Sequence, residues 1–164
     1  MTEAKPSRFI EIIQKFFITG AFSGYLPTAP GSWGSLLACF ILWFVFPSLW
    51  YWQILVIAAF YPIAIYLAGI GQNYYGHDGR PIVIDEIIGQ AITLFMAPHN
   101  LIAYILGFFI FRIFDIIKPY PARKLEKLPG GKGVVADDIA AGIYAAIVLQ
   151  LIIALAGRLG VGWV

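Results

Sequence analysis

Charge is what this chain has least of. Of its 164 residues 60% are hydrophobic and only 12% are charged, too few ionisable groups for the surface of an average soluble domain. No Asp, Glu, Lys or Arg occurs between Lys15 and Asp78, between Glu86 and Arg112, or between Asp138 and Arg158. The last two gaps are each about the length of one bilayer-spanning helix, roughly 20 residues, and the first can hold two. Cysteine is almost absent. Cys39 stands alone, which excludes an intrachain disulfide and a thiolate metal cluster; beside Leu37, Ala38 and Phe40 it reads as a buried apolar thiol rather than a nucleophile. A net charge of +2, with no basic surface interleaved with aromatics, gives no case for nucleic acid.

What is present is long apolar sequence with punctuation. The stretch "PSRFIEIIQKFFITGAF" sets Arg8, Glu11 and Lys15 on one helical face among Phe and Ile, the pattern of a helix lying in a membrane interface. Glu11 interrupts any signal-peptide core. Apolar segments follow at residues 36–50, 51–70, 81–96, 101–117 and 134–156. The first is short and broken by Pro47, so it is expected to be tilted, kinked or partly re-entrant. The expected fold is all-α: one domain over residues 1–164, a polytopic membrane helical bundle with an N-terminal interfacial amphipathic helix. Short cytoplasmic loops collect Lys and Arg. The N-terminal helix, the loop around "HDGR" and the loop "KPYPARKLEKLPGGKG" therefore belong on the cytoplasmic side, with the uncharged turns near "FPSLWYW" and "APHN" opposite.

That topology brings scattered polar groups to one level. Asp85 and Glu86 lie about a turn into the third segment, Arg112 and Asp115 close the fourth, and Asp137 and Asp138 open the fifth. Ionisable groups at membrane depth are expensive unless paired, hydrated or metal-bound, so their convergence points to a site. Singly, Asp137 and Asp138 also suit a helix N-terminus, and Arg112, Asp115 and Lys118 also suit an ion-pair stripe. Carboxylates with little imidazole and no thiolate favour a hard cation, Mg²⁺ over Zn²⁺. Arg112, Lys118 and Arg80 suit a phosphate that completes its shell. His77 and Asp78 could handle protons or merely occupy a solvated loop, and His99 reads as a turn residue. "LPTAPGSWGS" presents Thr28, Ser32 and Ser35 hydroxyls just before a helix, an anion site or an ordinary capped turn; it lacks the Gly-Lys-Ser/Thr of a Walker A loop. "LPGGKG" reads as a flexible turn rather than a phosphate cradle.

Taken in order, "PTAPGSWGS", "HDGRPIVIDEIIGQ" and "FRIFDIIKPYPARKLEKLPGGKGVVADDIAAG" resemble the phosphatidylglycerophosphatase A family of bacterial membrane enzymes over nearly the whole chain. The resemblance implies a Mg²⁺-dependent lipid phosphatase of the bacterial cytoplasmic (inner) membrane. It would convert phosphatidylglycerophosphate to phosphatidylglycerol and phosphate at the cytoplasmic face, with membrane lipid as its partner and no oligomeric state specified. It implicates Asp85, Glu86, Asp115 and Asp138 as catalytic, with Asp85, Glu86 and Asp138 as metal ligands and Thr28, Ser32, Arg112 and Lys118 as substrate-binding groups. Family members commonly carry Thr where this chain has Ser32. Activated water and a covalent phosphoaspartate on Asp115 or Asp85 both remain open routes. The rival readings are another lipid-phosphate phosphatase, or a small non-enzymatic transporter using the carboxylates as an ion path.

Overall fold

The computed structural model describes residues 7–162. Among them are seven α-helices, one short 3-10 turn and no strand. Helix α1, Arg8–Ile18, is capped by Ser7 and carries a Lys15–Glu11 ion pair one turn apart. Phe9, Ile12 and Phe17 on its apolar side are exposed, as an interfacial helix requires. A 3-10 turn, Ser23–Tyr25, leads to α2, Pro30–Val45. Here the structure departs from expectation. The helix begins six residues earlier than its apolar run, with proline at its first position, where a missing N–H costs nothing. "PGSWGS" is therefore the first turn and a half of α2 rather than a loop ahead of it.

Helix α3, Trp50–Tyr75, and helix α7, Gly131–Arg158, are long and apolar enough to cross a membrane, at 26 and 28 residues. Pro62 lies inside α3. Helix α5, Leu101–Ile117, coincides with the expected fourth segment and is capped by Asn100. A four-residue helix α6, Ala122–Leu125, lies in the basic loop.

The expected third segment is shorter than its hydrophobic run. Helix α4, Ile84–Thr93, has ten residues and rises only about 15 Å, half of a roughly 30 Å hydrocarbon core. Eight of those ten are buried, because α2, α3, α5 and α7 all pack around it. Its apolar residues face protein, not lipid. Small residues permit the close approach to α7, as in other membrane bundles. A Cβ on Gly142 would fall 2.5 Å from the Gly89 carbonyl oxygen, and one on Gly89 would fall 2.5 Å from the Phe111 ring.

Where α4 stops short, polar side chains satisfy the freed backbone. The Met96 N–H donates to Gln53 Oε1 at 2.9 Å, and Gln150 Nε2 donates to the Phe95 carbonyl at 2.8 Å. His99 Nε2 lies 2.7 Å from the Trp43 carbonyl, the turn role expected of it. Irregular backbone at membrane depth is tolerated where protein groups replace water in this way.

Candidate active site

The opposite end of α4 opens into a polar cavity of about 310 Å³. Asp85 and Glu86 enter it from the first turn of α4, Arg112, Asp115 and Lys118 from the end of α5, and Asp137 and Asp138 from the second turn of α7. Asp78 and Arg80 line it from the loop before α4, and Ala29, Pro30 and Gly31 from the start of α2. The separated groups that topology placed at one level are thus in one pocket.

Asp85, Glu86, Asp137 and Asp138 are each no more than 8% exposed. Asp85, Glu86 and Asp138 offer ligand atoms all within 4.8 Å of one another, and so do Asp115, Asp137 and Asp138. Asp85 Oδ1, Glu86 Oε2, Asp137 Oδ1 and Asp138 Oδ2 are buried with no hydrogen-bond partner. Buried carboxylate oxygens left unpartnered carry a heavy desolvation penalty, which a bound cation removes. Oxygen donors without thiolate or imidazole match a hard divalent ion.

Cationic side chains are fixed around these acids. Arg112 Nη1 lies 2.8 Å from Asp115 Oδ2 and 3.8 Å from Glu86 Oε1, and donates to Ser35 Oγ at 3.4 Å. Ser35 in turn donates to the Gly31 carbonyl at 2.9 Å. A Cβ on Gly31 would fall 2.2 Å from Glu86 Oε1 and 3.0 Å from the Arg112 guanidinium, so a side chain there would have to displace the Glu86 carboxylate. Lys118 donates to Asp137 Oδ2 at 2.6 Å, with Glu126 at 3.4 Å and Asp78 at 3.9 Å. Burial by itself lowers the Lys118 pKa, but the hydrogen bond to Asp137 and the neighbouring carboxylates outweigh it and hold the ammonium above its usual range.

Backbone strain gathers here as well. Ala29, Asp78 and Lys118 adopt left-handed conformations, with φ of 47°, 50° and 47°, at a cost of order 1–3 kcal/mol each for non-glycine residues. All three line the cavity.

Not every residue singled out from sequence arrives. Thr28 is exposed, and neither Thr28 nor Ser32 lines the cavity. The hydroxyl that reaches the charged cluster is that of Ser35, one helical turn on. His77 lies outside the cavity, against Gln72. Glu126 was not anticipated; it sits in a loop of alternating charges with no local pattern to mark it.

A family model described as phosphatidylglycerophosphatase A matches residues 16–153. Among curated relatives, a Bacteroides thetaiotaomicron protein named "Putative phosphatidylinositol-3-phosphatase" is 41% identical over 142 residues, covering 81% of this chain and 89% of the relative. Two proteins named phosphatidylglycerophosphatase A are each 39% identical. The one from Haemophilus influenzae aligns over 91% of this chain and 95% of its own length. The one from Escherichia coli aligns over 81% and 79%. No solved structure matches.

Proposed function

The chain belongs to the phosphatidylglycerophosphatase A family and is a phosphatase; from that premise we propose that it hydrolyses phosphatidylglycerophosphate to phosphatidylglycerol and phosphate, with Mg²⁺, at the cytoplasmic face of a bacterial inner membrane. Enzyme membership leaves no place for the transporter reading. The observation that carries the proposal is the meeting of unpartnered Asp85, Glu86 and Asp138 oxygens with the Arg112 guanidinium in one cavity of an otherwise apolar molecule.

Asp85, Glu86 and Asp138 would hold the cation. When bound, it supplies Lewis-acid stabilisation of phosphoryl oxygens. Arg112 meets the phosphate with a planar fork that Asp115 and Ser35 hold in position, so little reorganisation accompanies charge development at phosphorus. Lys118 remains cationic and supplies a second point charge. Asp115 positions Arg112 through Oδ2, and an oxygen held by a guanidinium is a poor nucleophile, which favours direct attack by water over a phosphoaspartate there. Thr28 and Ser32, on either side of the cavity-lining residues 29–31, would contact the lipid head group at the rim.

A buried site entered from a membrane surface suits a lipid phosphate, and the basic residues Lys118, Arg123, Lys124 and Lys127 grouped at that end suit the cytoplasmic side. The name of the Bacteroides relative makes a phosphoinositide the competing substrate. Phosphate release by purified protein from phosphatidylglycerophosphate, phosphatidylinositol 3-phosphate and a soluble glycerol phosphate, each with and without Mg²⁺, decides among them. Preference for the first, abolished by chelation, is expected; equal turnover of the soluble ester would overturn the lipid reading.

A further inference from the structure

Resting on the phosphatase reading above, we infer that the cavity takes two divalent cations, bridged by Asp138: one on Asp85 and Glu86, the other on Asp115 and Asp137. Asp138 belongs to both groups of carboxylates whose ligand atoms lie within 4.8 Å of one another. Its Oδ2 is buried and has no hydrogen-bond partner, so the residue common to both groups has an oxygen not committed elsewhere.

The second position has its own independent mark. Asp137 is 3% exposed, and its two oxygens differ: Oδ2 takes the Lys118 ammonium at 2.6 Å, whereas Oδ1 is buried without any partner. A single cation on Asp85, Glu86 and Asp138 leaves that oxygen unsatisfied.

Charge leads to the same number. Six carboxylates line the cavity, Asp78, Asp85, Glu86, Asp115, Asp137 and Asp138, against the three cations Arg80, Arg112 and Lys118. With all of them ionised the formal charge is −3. One divalent ion brings it to −1, still repelling a phosphomonoester dianion; a second brings it to +1, which attracts the dianion. In a pocket this buried, where charges are weakly screened, that change of sign governs whether the substrate enters. Paired divalent ions about 3.5–4 Å apart can stabilise both the attacking and the leaving oxygen of a phosphoryl displacement.

The test is binding of Mn²⁺ to metal-free, detergent-purified full-length protein without substrate, read by equilibrium stoichiometry and by electron paramagnetic resonance. Two Mn²⁺ per chain with a spin-coupled signal are expected. Asp137→Asn should retain one Mn²⁺ and lose the coupling. Because that change also strips Lys118 of its closest partner, Asp115→Asn is run beside it, with circular dichroism to verify folding, and should likewise give one uncoupled Mn²⁺. One Mn²⁺ per wild-type chain overturns the second site, as does retention of two coupled ions by folded Asp137→Asn and Asp115→Asn proteins. The two readings fail separately. Lipid phosphatase activity with a single bound ion refutes only the pair, whereas two coupled ions without lipid phosphatase activity refute only the assigned reaction.

Discussion

At the scale of single residues, the cavity separates groups that would hold a cation from groups that would hold a phosphate. Asp85→Asn and Asp138→Asn keep shape but remove charge from the unpartnered oxygens. Activity is expected to collapse, with any remainder demanding more Mg²⁺; full activity at unchanged Mg²⁺ in folded protein would reduce these carboxylates to structural roles. Arg112→Lys keeps the charge and loses the fork that reaches Asp115 and Ser35. A fall in turnover of about 10²- to 10³-fold with near-normal Mg²⁺ dependence is expected, by analogy with loss of one transition-state donor, and steady-state kinetics across a Mg²⁺ series checks it. These acids were legible in the sequence because charge in an apolar run has few explanations. The Ser35 hydroxyl was legible as a candidate but its partner Arg112 was not, and neither were Glu126 or the left-handed backbone of Ala29 and Lys118. A hydroxyl's partner depends on which helix lies opposite, and neither alanine nor lysine advertises a positive φ as glycine does.

At the scale of elements, the seam between α4 and α7 aligns Asp85 and Glu86 with Asp138. Gly142→Ala places a methyl group against backbone that cannot rotate away, 2.5 Å from the Gly89 oxygen. A stability loss of about 1–3 kcal/mol is expected for such overpacking. Ile147→Ala, on an exposed position of α7, should be nearly neutral, and thermal unfolding in detergent followed by circular dichroism compares the two. The long helices were readable from the gaps in charge, and α5 to its ends, since Asn100 and Lys118 bracket it. The length of α4 was not readable. Hydrophobicity reports that a residue avoids water but does not distinguish lipid from the side of another helix, so a run of sixteen residues, 81–96, concealed a ten-residue helix. The early start of α2 was hidden for a related reason: "PGSWGS" has the composition of a turn, yet it is helical and its glycines lie close to Val83, Glu86 and Arg112.

At the scale of the whole molecule, the charged end and the apolar body predict how the protein sits. Phe40 and Phe44 on α2, Tyr66 on α3, Phe109 on α5 and Leu151 on α7 are all exposed, a surface suited to hydrocarbon rather than water. The protein should remain with membranes under alkaline carbonate extraction. A Lys127→Cys protein in a Cys39→Ala background should react with an impermeant maleimide only when the cytoplasmic side is accessible; labelling confined to intact cells would invert the orientation.

The brevity of α4 also bears on how the protein is made. At about 15 Å, with two acids in its first turn, it has neither the length nor the composition to partition into a bilayer on its own. Two of the helices that enclose it, α5 and α7, are synthesised after it. Its place in the membrane is therefore gained late, when the C-terminal helix arrives to supply both its longest packing face and Asp138. A nascent chain halted before Gly131 should expose α4 to protease, and completion of α7 should protect it. Catalytic competence would then wait for α7, and a chain halted before it would carry no half-built phosphatase.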